Sequence, residues 1–354
     1  SSNPEVFGLH PNAEIGYFVE NAKSIWHGLL KINITCHSGN KGDSALGNLK
    51  ETTLVATISE IFEKVPSKPL YFCPDSDPPT PIEIVLAQTA ASTGLVSFIF
   101  SDAHGNKSKE NFLWTFCYQE LDRLNILLQA VIQSLRELRH ALRGDIGMSM
   151  DLDELALSLQ AGVLPRQWRA LAPPTSKSLG SWISHLMRRI SQYTTWKERG
   201  SLSCYWLGGL HMPRSLSTAL IQVTSRKKGI SLDKLVLFTE FTQLEVPQQI
   251  ESPLEDGAYI EGLFIEGARW NSALRRLAPQ APRELLGELP LMKLVPIESH
   301  RLKTRSLLRT PVYVTQERRT PMGEGLVFDA WLPFSEHSSF WILSGTALVL
   351  ETSD

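Results

Sequence analysis

Residues 204–229, CYWLGGLHMPRSLSTALIQVTSRKKG, mark where the polypeptide changes character: apolar spacing is mostly helical before them and mostly strand-like after. Pro213 suits a first helical position, where its missing N–H costs nothing, and Gly229 suits the position just past the helix end. Arg226, Lys227 and Lys228 stand at the carbonyl end, where the helix dipole favours cations. Leu216, Ala219, Leu220 and Val223 fall on one face between them. Upstream, WLGGL is an apolar run preceded by Cys204 and Tyr205 and broken by paired glycines, which reads as a short buried strand or tight turn feeding the helix.

On the N-terminal side, Asn12 can cap a helix over 13–31 whose Ile15, Val19, Ala22, Trp26 and Leu29 recur at three- and four-residue steps, so one face should be buried. The glycine- and serine-rich stretch 37–48, HSGNKGDSALGN, reads as a loop, since it does not match the phosphate-binding pattern GxxxxGK[ST]. Leu54, Ile58, Ile61 and Phe62 mark a second helix ending before Pro66, and the proline-rich, acidic run 69–81 reads as a linker. From Cys117 onward, Leu121, Leu124, Leu128, Val131, Leu135, Leu138 and Leu142 alternate steps of three and four. That seam could dimerise as a coiled coil, but Ile126, Leu127 and Ile132 widen it, which suits packing inside a bundle better. Ser149 can cap a helix with Leu152, Leu155 and Leu159 on its face and Gly162 at its end. Ser176 or Ser178 opens the next, with Leu179, Trp182, Ile183, Leu186, Ile190 and Tyr193 facing one way and Arg188 and Arg189 another. His185, without a second ligand in helical register, reads as a surface or boundary residue.

After Gly229 come LDKLVLFTEFTQL, GAYIEGLFIEGARW, LPLMKLVPI, TPVYVTQERR, GLVFDAWLPF and SFWILSGTALVLE. These six β-rich segments, parted by turns, should form an antiparallel sheet or close into a small barrel, with the run 341–350, apolar at nearly every position, as a central strand. The fold class is therefore α+β, with a helical part over 1–229 and a β-rich part over 230–354.

With 35 basic and 37 acidic residues the formal net charge is −2, which gives no one-signed field to recruit nucleic acid or an anionic membrane. The longest apolar runs fall short of the ~20 residues that span a bilayer, and the opening SSNPEVFGLHPN carries no signal-peptide pattern. Cys36, Cys73, Cys117 and Cys204 lie far apart, so neither a disulfide framework nor a zinc site is implied, and a cytosolic compartment is expected. No GxSxG, HExxH, GxGxxG or phosphate loop occurs. Glu261 and Glu266 are the best candidates for paired acids, yet five residues apart they should point to opposite faces of one strand. No catalytic, cofactor-binding or metal-ligating residue is expected.

Several long motifs, in order, resemble the C-terminal region of dynein heavy chains, and the axonemal inner-arm type in particular. These are VFGLHPNAEIGY near the start, LGSWISHLMRRISQYTTW over 179–196, WLGGLHMPRSLSTALIQVTSRKKGISLD over 206–233, GAYIEGLFIEGARWN over 257–271, RTPVYV over 309–314 and the closing FWILSGTALVLETSD. The resemblance covers nearly the whole sequence. It departs from the family over 88–116, where roughly thirty residues look like an insertion, and at Ile230 and Phe340, where an aromatic and a histidine are expected. The resemblance implies a noncatalytic module that packs on the ring of ATPase modules and modulates ATP-driven, minus-end-directed movement on microtubules in the axoneme of cilia and flagella. ATP and Mg²⁺ would bind the ring modules, and intermediate chains, light chains and microtubules would be reached only through the full motor. Residues 89–110 would then be a spare, poorly packed insert. The alternatives from other classes are a coiled-coil adaptor built on Leu121–Leu142 and a free-standing hydrolase.

Overall fold

The computed structural model describes residues 15–19, 21–26, 44–66, 70, 112–199, 202–244, 246–302, 306–315 and 325–351. The readings for Asn12, the linker 69–81 apart from Leu70, and the insert 89–110 lie outside the described residues. Among the described residues the first part holds the helices α1 (Ser44–Lys64), α2 (Phe112–Leu142), α3 (Met150–Gln160), α4 (Arg166–Leu171) and α5 (Leu179–Arg199). Helical backbone also covers 15–19 and 21–26. Helix α1 starts at Ser44, inside the stretch read as loop, and buries Leu54, Ile58 and Ile61 as its spacing predicts.

Helix α2 is the beam of this part and packs against α1, α3, α4 and the later helix α6 (Pro213–Lys228). Leu121, Leu124, Leu128, Val131, Leu135 and Leu138 are each no more than 3% exposed. Its apolar seam is therefore covered from within the same polypeptide, which removes the coiled-coil dimer. Ile126 does not widen the seam; it is 42% exposed, because two residues turn it about 200° around the helix from Leu124. Val19 and Trp26 are likewise exposed, since spacing names the face a helix can bury but not whether a neighbour covers it. Ser149 caps α3 by accepting the Leu152 N–H at 3.3 Å, and Leu152, Leu155 and Leu159 are buried.

The stretch 204–229 folds as its residues dictate. Cys204–Trp206 form strand β1, Leu207–Gly209 a single 3₁₀ turn, and Pro213 opens α6, which ends at Gly229 with φ 65°. Beyond it the described strands are β2 (Leu235–Phe241), β3 (Ala258–Glu261), β4 (Phe264–Glu266), β5 (Arg269–Asn271), β6 (Arg276–Ala278), β7 (Leu286–Glu288), β8 (Met292–Glu298), β9 (Leu307–Thr315), β10 (Leu326–Pro333) and β11 (Ala347–Glu351), with helix α7 (Ser338–Leu343) before β11.

The class is α+β as expected, but the described strands do not close into a barrel. One sheet runs β1-β3-β8-β2, a second β10-β9-β11-β4-β7, and β5 and β6 form a separate ribbon. Nor are the sheets purely antiparallel: β1 pairs with β3, and β11 with β9, in parallel. The segment GAYIEGLFIEGARW is three strands, broken at Gly262 and Gly267, and SFWIL is helix rather than strand. Strand β11 is nonetheless central, between β9 and β4. Where β2 meets β10, Thr239 bridges with its side-group hydroxyl: Trp331 donates its N–H to Thr239 Oγ1 at 2.7 Å, and the hydroxyl donates to the Trp331 carbonyl at 3.0 Å. A hydroxyl link there takes the place of a backbone ladder between the two sheets. One hydrophobic cluster runs from Leu54 in α1 to Leu350 in β11.

Candidate functional site

A buried polar cluster lies within the helical part, where α2 and α5 meet the start of α6. Glu120 sits on the core face of α2, in register with Phe116, Cys117 and Leu124, and has no exposed surface. A carboxylate there is costly unless its oxygens are satisfied. Tyr193 of α5 donates its hydroxyl to Glu120 Oε2 at 2.5 Å, and the backbone N–H groups of His211 and Met212 donate at 2.7 and 2.9 Å. The Arg123 guanidinium stands 3.6 Å away. His211 and Met212 precede Pro213, and α6 has no side-chain cap of its own. Glu120 thus supplies the missing cap from another helix, at the end where the dipole favours an anion.

Burial pushes the Glu120 carboxyl up, against the lowering pull of Tyr193, the two N–H groups and Arg123. Burial also raises the Tyr193 hydroxyl, helped by the Glu120 charge. The His211 ring is pushed down to about 3, first by burial and then by Arg189 and Arg123, and is neutral at physiological pH. Cys117, alongside, is driven upward by burial and by Glu120, and Cys204 by burial and by Glu261. Both thiols stay protonated and are poor nucleophiles. The cluster can hold α2, α5 and α6 together.

A second arrangement fixes β1. The Gln192 amide accepts the Trp206 N–H at 2.8 Å and donates to the Trp206 carbonyl at 3.4 Å. Arg189, read from the sequence as facing away from the core with Arg188, is 3% exposed and donates Nε to the Gly209 carbonyl at 2.9 Å. Steps of three and four place it on the face of Leu186 and Tyr193, so helical geometry overrides its charge. The Trp206 indole lies against Gly209 and Gly262; a Cβ at Gly209 would come within 2.6 Å of the ring and one at Gly262 within 2.5 Å. The Arg188 guanidinium covers the indole at 4.2 Å and pairs with Glu261 at 2.9 Å, while His185, at the boundary, meets its edge at 5.2 Å.

The structure does not put Glu261 and Glu266 on one strand. Gly262, at φ 79°, ends β3, and Glu266 belongs to β4 in the other sheet. Glu261 serves the Trp206 clasp instead. Among the described residues, no three His, Cys, Asp or Glu side chains group so that they could hold a metal ion. The residue that sequence reasoning missed is Glu120; its signal was a lone acid on the leucine face of a long helix, one step before Leu121.

A third feature is a partly open cavity of about 220 Å³ between the outward side chains of β9 and helix α7, lined among others by Arg309, Pro311, Tyr313, Trp341 and Ile342.

Comparison with known proteins follows the same span. The family model of the C-terminal domain of dynein heavy chains matches residues 19–350. Dynein axonemal heavy chain 10 of Homo sapiens is 38% identical over 354 residues, covering 99% of this sequence. The dynein-1-alpha heavy chain of the flagellar inner arm I1 complex of Chlamydomonas reinhardtii is 38% identical over 352 residues and covers 98%. The dynein beta chain of the flagellar outer arm of the same alga is 33% identical over 353 residues, also covering 98%. The sequence spans 7% of the length of each of these relatives.

Proposed function

This protein belongs to the family of C-terminal domains of dynein heavy chains, and on that premise we propose that it is a noncatalytic module of an axonemal dynein heavy chain, packed on the motor's ring of ATPase modules. There it modulates ATP-driven, minus-end-directed movement along microtubules. The observation that carries this reading is end-to-end similarity to axonemal heavy chains of which the sequence is only 7%. The sequence supports the noncatalytic part, since it holds no phosphate loop from which ATP could be bound. Two buried arrangements support the mechanical part: a module that transmits or restrains force needs its helices and sheets tied together, and Glu120 ties α2, α5 and α6 to one another while the contacts of Trp206 tie the helices to the sheets. ATP and Mg²⁺ belong to the ring modules. Intermediate chains, light chains and microtubules are met through the whole motor, in the axoneme.

A chimaera tests this. The dynein-1-alpha heavy chain of Chlamydomonas is prepared with its matching C-terminal segment deleted, or replaced by this protein, and microtubule gliding and ATP turnover are recorded. Deletion should change gliding velocity while leaving basal ATP turnover measurable, and replacement should restore the velocity. The isolated protein should show no change in melting temperature with millimolar Mg·ATP beyond that with Mg²⁺ alone. A nucleotide-dependent shift, or gliding indifferent to the deletion, overturns the proposal.

A further inference from the structure

Strands β5 and β6 form a ribbon outside both sheets. Their register pairs Arg269 with Ala278, Trp270 with Leu277 and Asn271 with Arg276. Alternation along each strand therefore puts Trp270 and Leu277 on one face and Arg269 and Arg276 on the other. The first face is anchored: Leu277 is 1% exposed, and the Trp270 ring stacks on Phe241 of β2 with centroids 3.6 Å apart. The turn between the strands is pinned as well. Asn271 Oδ1 accepts the Leu274 N–H at 3.0 Å, and Arg275, at φ 50°, donates Nη2 to the Phe241 carbonyl at 3.1 Å.

On the outward face, Arg269 is exposed and Arg276 half-buried. Among the described residues neither makes an ion pair or a side-chain hydrogen bond. By contrast, Arg309 on β9 pairs with Asp329 on β10 at 2.6 Å, and Arg301 pairs with Glu298 at 2.9 Å. Residues 267–286 contain four arginines, Arg269, Arg275, Arg276 and Arg283, against one acid, Glu284, in a protein of net charge −2. Two cations that share a small face repel each other, so the fold gains nothing from setting them side by side. An anion brought by a partner reverses that sign and draws the partner to this face.

Spacing narrows the chemistry of that partner. Diagonal residues on one face of an antiparallel pair stand roughly 7–8 Å apart. Alternate side chains of an extended polypeptide project to one side roughly 6.6 Å apart. Two carboxylates at alternate positions can thus meet the two guanidiniums one to one, each in the planar bidentate geometry that suits arginine. A single phosphate is better held where donors gather with free backbone N–H groups around one point, which a paired ribbon does not offer. The aromatic ring of the ribbon, Trp270, is stacked on its inner side, which disfavours the base stacking that single-stranded nucleic acid uses.

We propose that the outward face of the β5–β6 ribbon is a docking site for an extended acidic segment of a partner protein, with carboxylates at alternate positions paired to Arg269 and Arg276. The ribbon is already fixed on its inner face, so binding orders the segment and the two arginine side chains but not the backbone beneath them.

The test titrates this protein into a fluorescein-labelled peptide of alternating glutamate and threonine at low salt and records fluorescence anisotropy. The peptide should bind, and more weakly at about 0.3 M salt, where exposed charges are screened. Arg269→Gln/Arg276→Gln should weaken binding roughly fivefold or more, with a melting temperature near that of the parent because both side chains face outward. Lys227→Gln/Lys228→Gln removes the same charge at the end of α6 and should bind as the parent does. A peptide of alternating glutamine and threonine should not bind. No binding of the glutamate peptide by the parent, equal binding by the arginine variant, or an equal loss in the lysine control overturns the proposal. Tighter binding of a phosphoserine peptide or an oligothymidine, lost in the same arginine variant, overturns it in favour of a phosphate-bearing partner.

Discussion

Glu120 and His211 titrate in opposite senses within one buried cluster, and the sign of each decides what acid does to the protein. His211 has a folded-state value near 3 against 6.5 for an unperturbed ring, so its contribution to stability is complete above about 6.5 and is lost as the pH falls toward 3. A shift of that size corresponds to an upper bound on the order of 4–5 kcal/mol. Glu120 is raised above 4.5, so it favours the fold on the acid side and loses that contribution as the pH rises through its folded value. The charged neighbours of the pair are Arg123 of α2 and Arg189 of α5. His211→Gln should therefore flatten the fall in melting temperature between pH 6.5 and 4, read by circular dichroism. Glycines give a second contrast at the same scale. Gly262→Ala meets both a left-handed backbone and the Trp206 ring, whereas Gly229 has the same backbone and open space around it. Denaturant melts should show a loss of about 1–2 kcal/mol for Gly229→Ala and a larger loss for Gly262→Ala.

For whole elements, periodicity carried the reading wherever one face of a helix had a neighbour to bury it. Leucine spacing located α2 and α3, and Pro213 with Gly229 bounded α6, because those signals depend only on local backbone chemistry. The same spacing already set Ile126 about 200° from Leu124 and Arg189 on the face of Leu186 and Tyr193; both were misplaced because residue type was read before position. Strand order was the least legible, as β11 pairs in parallel with β9 across a helix that the apolar run SFWIL concealed. Glu120 escaped notice because its partners, Tyr193 and two backbone N–H groups, lie 73 to 92 residues away in sequence. Two adjacent substitutions in α2 check the assigned face. Leu127→Ala, at 0% exposure, should cost about 2–5 kcal/mol through the cavity it leaves, while Ile126→Glu should change stability by less than about 0.5 kcal/mol.

At the scale of the whole molecule, a division at Gly229 follows the change in secondary structure but cuts through physical contacts. Strand β1, which precedes the cut, pairs with β3, which follows it, over Cys204–Tyr259, Tyr205–Ile260 and Trp206–Glu261. The Trp206 ring occupies the space at Gly262, and α6 packs on β2, β8 and β10. A fragment of residues 230–354 would therefore expose one side of β3, the hollow at Gly262 and the apolar strand faces under α6. The reciprocal fragment, 1–229, would retain Glu120 and its cap on α6 but leave Leu216, Ala219 and Leu220 with part of their cover gone. Since one continuous core joins the two halves, the intact protein should melt in a single cooperative step, with far-UV circular dichroism and tryptophan fluorescence giving the same midpoint. Neither fragment alone should show a cooperative transition, and mixing them should restore one. Two separate midpoints in the intact protein, or a cooperative melt of 230–354 by itself, would show that the β part has a core of its own and that the junction at Trp206 is a contact between independent units.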